Sequence, residues 1–283
     1  MKTLAKHPAI AVETAERISP FDDPECLYIP LPETMRTFEP PQVGDWQQNP
    51  QVKQVLAQLV AGLTASDGGI ESANIDLSEY DSATRELLGQ LLGEGEISIL
   101  ADRAVEYFTV KEAVFTGVWR IKRYENGTLN QDSLEAGPCP AILADWLSAQ
   151  NEYPNFPEVF PENLMNAPAL VYELFTKSKN FKSGAEEVIN LTLLPLTPKD
   201  MAFLVACLGL AGLSILSKGY GDCRIRRTGL PNVWWVQYFN SPGQLILNTL
   251  EITALPTLVT ATPEDLEDSA HRLADVLSNL RGM

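Results

Sequence analysis

Cys223 directly follows Gly219-Tyr220-Gly221-Asp222 and lies within four residues of Arg224, Arg226 and Arg227. A thiol beside guanidinium groups is driven toward thiolate, so this cluster could support thiol-redox work or iron–sulfur transfer, with Cys139 as a second thiol. The plainer alternative is a buried, unreactive thiol. It is favoured because an earlier motif, Gly93-Glu94-Gly95-Glu96, is followed by Ile97 at the matching place. Cys139 falls in Gly-Pro-Cys-Pro, a turn, and Cys207 in the apolar, Gly-rich stretch Met201–Leu216, read as a buried helix. With Cys26, these are four widely spaced cysteines, and the two histidines, His7 and His271, are far apart. That inventory supplies no ligand set for zinc or an iron–sulfur cluster. No Ser/His/Asp or Cys/His set can be assembled either. The expectation is a protein that is not an enzyme, with no metal and no cofactor.

The two Gly-x-Gly motifs also invite a phosphate-loop reading. Both follow an apparent helix rather than open one, and no GxGxxG or Walker pattern surrounds them. They are expected to be helix C-terminal glycines in the left-handed region. What remains is binding. In a strand, Arg224 and Arg226 point to one face and Arg227 to the other, offering a cationic edge to a partner's carboxylates. The alternative is cross-strand pairing with Asp222, Glu251 or the acids of the first unit. Trp234 and Trp235 must face opposite sides, one in the core and the other covered by a helix, the other unit or a partner. The candidate partner-binding residues are therefore Tyr220, Arg224, Arg226, Arg227 and Trp235, with the acidic Glu94 and Glu96.

The chain has 283 residues and a net charge of −16, unevenly spread. Residues 51–159 carry 7 basic and 17 acidic side chains, hence −10, while residues 160–283 carry 10 and 12, hence −2. Such a surface disfavours nucleic acid, which needs cations for its phosphates, and suits basic partners or simple solubility. No export-type leader and no apolar run long enough to span a membrane is present, so the cytoplasm is expected.

The elements that must position these residues occur twice. Leu88–Glu96, Val118-Trp119, Leu134-Glu135 and Pro140 are followed, in the same order, by Leu213–Asp222, Val233-Trp234, Leu250-Glu251 and Pro256. On this alignment the first copy carries about eleven extra residues between Gly-x-Gly and Val-Trp. Each copy reads as helix, short strand, helix and a run of antiparallel strands. Asn126-Gly127 and Pro242-Gly243 mark the hairpin turns. A final helix from Pro263 is capped by Thr262. The expected fold is α+β, an internally duplicated unit with pseudo-twofold symmetry plus a C-terminal helix. Residues 1–50 form an extended Pro-rich arm, 51–153 the first unit and 160–283 the second.

Longer strings then carry a resemblance. Residues 188–196, 215–225 (Ile-Leu-Ser-Lys-Gly-Tyr-Gly-Asp-Cys-Arg-Ile), 229–241 (Gly-Leu-Pro-Asn-Val-Trp-Trp-Val-Gln-Tyr-Phe-Asn-Ser) and 245–251 resemble the C-terminal region of the HupH/HyaF hydrogenase-expression family. Residues 35–41 and 92–96 resemble its N-terminal part. The resemblance implies a chaperone-like accessory role in maturing uptake [NiFe]-hydrogenase, acting on the iron–sulfur small-subunit precursor before export. It also implies a thioredoxin-like companion of the HyaE/HupG type, and it assigns no catalytic residue. An acidic first unit would attract a basic export leader; the alternative is cofactor delivery or thiol-redox work through Cys223 and Cys139.

Overall fold

The computed structural model describes residues 49–65, 73–103, 105–148, 153–155, 160–209, 211–219 and 221–279. The expectations for the Pro-rich arm, His7, Cys26 and Tyr220 lie outside the described residues. Helix α1 (Pro50–Thr64) starts where the Asn49 side chain accepts from the N–H groups of Gln51 and Val52. Val52, Val55, Leu56, Leu59 and Leu63 recur at helical spacing and are buried. The chain continues through β1 (Ala73–Asp76), a 3-10 turn (Leu77–Glu79), α2 (Ser82–Leu92), β2 (Ile97–Arg103), β3 (Glu106–Glu112), β4 (Val118–Glu125), β5 (Thr128–Ala136) and α3 (Ala141–Ser148). The second half holds α4 (Ala167–Lys179), β6 (Glu187–Asn190), a 3-10 turn (Leu191–Leu193), α5 (Pro198–Leu208), β7 (Leu213–Gly219) and β8 (Gly221–Arg227). It ends with β9 (Val233–Phe239), β10 (Leu245–Ile252), a 3-10 turn (Thr257–Val259) and α6 (Pro263–Asn279).

The fold is α+β. The ten strands form one antiparallel sheet in the order β1-β5-β4-β3-β2-β7-β8-β9-β10-β6. Strands β2 and β7 pair, so the sheet is continuous between the halves. Side chains alternate across it. One face carries Ile99, Phe108, Trp119, Ile215, Ile225 and Trp234, packed with Leu143 and Trp146 of α3. On the other, Leu134 joins a core made with α1 and α2, and Trp235 and Leu250 join one made with α4 and α5. Helix α6 packs back onto the first half: its Leu266, Ala270 and Leu273 belong to the α1 core.

Four expectations change. The apolar stretch from Met201 to Leu216 is not one helix. Helix α5 stops at Leu208, where Gly209 takes φ +60°, and Leu213 opens β7. Gly219 and Gly221 are therefore not helix-terminal; they face each other across the β7–β8 hairpin. Gly221 has φ +113°, and an added Cβ would meet the Phe239 carbonyl at 2.5 Å, so no side chain fits. Gly93 does end α2, with φ +59° and its N–H bonded to the Gly89 carbonyl. The glycine playing its role in the second half is Gly209, not Gly219. The intervals Gly93–Trp119 and Gly209–Trp234 differ by one residue, so the expected insertion disappears. Cys223 changes its match too. It pairs with the residue four beyond Trp234, as Phe108 pairs with the residue four beyond Trp119, and Ile97 lies on a different strand.

Candidate functional site

The sheet separates the candidate residues rather than gathering them. Arg224 and Arg226 share one face of β8: Arg224 lies 4.6 Å from the Phe239 ring centroid, and Arg226 donates to Gln237 Oε1 at 2.9 Å. Arg227 is on the other face, only 3 % exposed, and donates to the Leu147 carbonyl at 3.4 Å. Arg103 donates to the Trp146 carbonyl at 2.9 Å and stacks on that ring. Two guanidinium groups thus hold the C-terminal end of α3, where unpaired carbonyls and the helix dipole attract cations. Burial pulls the Arg227 pKa down, with the Arg103 charge adding to it. Arg227 is accordingly a structural residue, not part of a docking edge.

Trp235 is also corrected. It is 3 % exposed within the α4–α5 core, and its Nε1–H donates to Asn248 Oδ1 at 2.6 Å. A side chain so enclosed offers nothing to a partner. Glu94 and Glu96 are exposed, as a docking role needs. Glu94 is bonded to Lys111 at 2.6 Å, and the Glu96 carboxylate lies beside Gly219, whose neighbour Lys218 donates its N–H to the Glu96 carbonyl. The Gly-Glu-Gly-Glu loop and the β7–β8 hairpin therefore meet, a proximity that the spacing in the sequence does not show.

The described cysteines are shifted away from the thiolate form. Burial pushes the Cys223 thiol up to about 11, despite a hydrogen bond from Tyr238 that acts the other way. Burial likewise raises Cys139 and Cys207. Thiols shifted upward carry little thiolate at neutral pH. Among the described residues no cluster of His, Cys, Asp or Glu could hold a metal ion, and no helix is long and apolar enough to cross a membrane.

The surface that sequence reasoning missed is apolar. Met165, Leu193, Leu194, Leu245 and Ile246 are 63, 80, 37, 41 and 57 % exposed, whereas the exposed Val188 pairs with Glu251 and points from the opposite face of the sheet. The five lie on segments tied to one another at the β6 end of the sheet. Asn166 donates to the Pro195 carbonyl at 2.8 Å, and the N–H of Asn248 donates to Thr192 Oγ1 at 2.8 Å. Next to Met165 the Asp200 carboxylate, fully buried, accepts from the N–H groups of Met165, Ala167 and Thr197 and from the Thr197 hydroxyl. Burial opposes its charge, but these four bonds prevail and hold its pKa at about 2. The one signal in the sequence was the run Leu191-Thr192-Leu193-Leu194-Pro195-Leu196, more apolar than a 3-10 turn can bury.

Residues 164–280 match the family model described as HupH hydrogenase expression protein, C-terminal conserved region. The chain is 39 % identical to hydrogenase expression/formation protein HupH of Rhodobacter capsulatus, over 93 % of this chain and 94 % of that protein. It is 38 % identical to hydrogenase expression/formation protein HoxQ of Cupriavidus necator, over 90 % of this chain and 92 % of that one. Identity to hydrogenase-1 operon protein HyaF of Escherichia coli is 35 %, over 87 % of this chain and 88 % of that one. At these identities over most of its length, the chain belongs to the HupH/HyaF family of hydrogenase expression/formation proteins.

Proposed function

We propose that this chain is a non-catalytic accessory protein of hydrogenase maturation that holds the unfinished iron–sulfur small subunit in the cytoplasm before export. The maturation role is supported by the names its relatives carry. The binding role rests on one observation, the shelf of exposed apolar side chains from Met165 to Ile246. Clustered large apolar groups on a water-soluble surface mark a place where another protein sits. A protein caught before completion itself exposes apolar surface, which such a shelf covers. The acidic first half would speed encounter with a basic leader, and a thioredoxin-like companion would share the complex. We also read the two halves as copies of one unit. Trp119 donates to the Gly137 carbonyl at 2.9 Å and Trp234 to the Thr253 carbonyl at 3.0 Å, a shared hydrogen bond that supports common descent.

The reading is tested by recovering tagged protein from hydrogenase-expressing cells. The small-subunit precursor is expected to co-purify with the wild-type chain and to be lost with the double variant Leu193→Asp/Ile246→Asp. Equal recovery with both would refute the shelf.

A further inference from the structure

We propose that the outer edge of β1 docks an extended peptide strand from a partner protein, carrying a lysine or arginine, in the cleft between β1 and α1. The site is at the edge of the sheet opposite the shelf and does not rest on the shelf's role.

Among the described residues β1 pairs with β5 alone, and its other side opens into a cleft of about 540 Å³. All four residues of β1 line that cleft. Side chains of a strand alternate between faces, so a cavity touching all four lies along the backbone edge. In an antiparallel pair, alternate residues point N–H and C=O away from the partner strand, so this edge presents donors and acceptors to an incoming chain. Four residues of strand span roughly 13 Å, the length of a short added strand. Peptides recognised this way take their affinity from main-chain bonds and their selectivity from alternate side chains.

The walls specify what fits. Gln54, Gln58 and Ala61 form one stripe of α1, exposed and uncharged, and the alanine leaves room for a backbone to approach. Among the described lining residues the charged groups are two carboxylates, Asp76 and Glu79, both exposed, and none is a lysine or arginine. Hydrogen bonds from the Ser78 hydroxyl and N–H hold Asp76 below the usual carboxylate range, so it is anionic at neutral pH. A cationic side chain meets complementary charge there and an acidic one is repelled.

At the other end of the sheet a cation bridges the neighbouring helix to the edge strand. Lys177 of α4 binds Glu173 on its own helix and Glu187, the first residue of edge strand β6. That bridge ties helix to edge strand. Between α1 and β1 the described lining residues include no such cation.

The test selects a phage-displayed random heptapeptide library on the immobilised full-length protein. Recovered sequences are then remade as fluorescein-labelled peptides for anisotropy titrations. The expected result is enrichment of peptides with alternating β-branched residues and at least one lysine or arginine. Their affinity should fall at least tenfold on the exposed-site variants Glu79→Lys and Gln58→Trp, and on placing a proline mid-peptide. Circular dichroism melts should match wild type for at least one of the two protein variants. No enrichment over the starting library, or peptides that bind both variants as tightly as wild type, overturns the proposal. Peptides weakened by Leu193→Asp but indifferent to Glu79→Lys also overturn it, because they occupy the shelf.

Discussion

Ile99 and Ile215 face each other across the β2–β7 ladder, the pairing that joins the first five strands to the last five. Both are buried, and on either side of them Ile97 pairs with Ser217 and Ala101 with Leu213. A ladder shared in this way couples the halves, since neither can lose its inner strand without exposing the other's. Ile215→Ala should cost about 2–5 kcal/mol, the range for truncating a buried isoleucine. Urea melts followed by circular dichroism and by tryptophan fluorescence should shift together, in a single transition. Two separated transitions would show that the halves fold independently.

Glu112, on β3, is 6 % exposed, and burial pushes its carboxyl up to about 7, against a hydrogen bond from the Gly117 N–H. A carboxyl whose folded pKa lies above its unfolded one binds its proton more tightly in the fold. Stability is then highest below the unfolded value of 4.5, falls as the pH rises to about 7, and stays flat beyond. Glu112→Gln keeps an acceptor for Gly117 and removes the charge. It should match wild type at pH 4 and be more stable at pH 8, by at most about 3 kcal/mol. Thermal melts at the two pH values check this; a variant less stable at pH 8 would contradict it.

Asp200 has the opposite sign. Its carboxyl is held at about 2, so its contribution is complete above the ordinary value of 3.8 and is lost as the pH falls toward 2. Asp200→Asn turns an acceptor oxygen into a donor facing N–H groups, and should cost about 2–4 kcal/mol at pH 7. The gap from wild type should narrow at pH 2.5. Because Asp200 also fixes Met165, the variant should weaken partner binding at temperatures where it remains folded. A cost that does not change between pH 7 and pH 2.5 would mean that the carboxylate's charge is not what holds these segments.

Much of this fold was legible because its boundaries are written in residues with one structural job. Asn126 and Gly127 take φ values of +50° and +78°, as a two-residue hairpin requires, and Thr262 and Asp265 cap each other at the start of α6. The error came from treating all glycines alike. Gly93 and Gly209 end helices whereas Gly219 and Gly221 close a hairpin, and only the strand pairing tells them apart. Trp235 and Arg227 were offered as docking groups because a strand exposes what no helix covers. What covers them, α4 with α5 and the end of α3, is tertiary. The shelf was invisible for the converse reason. Leu193 and Ile246 look like ordinary core residues until the sheet leaves them outside. Helix α6 likewise gives no sign in its own sequence that it belongs on α1.

The central claim, that the shelf holds the small-subunit precursor, is tested most directly by dissociation kinetics from surface-immobilised precursor at two ionic strengths. Buried apolar anchors act on the off-rate, whereas acidic residues away from the contact act on the on-rate and are screened by salt. The account predicts that Leu193→Asp/Ile246→Asp speeds dissociation at least tenfold at both salt concentrations, while added salt slows association of wild type and variant alike. A double variant that dissociates as slowly as wild type would contradict it.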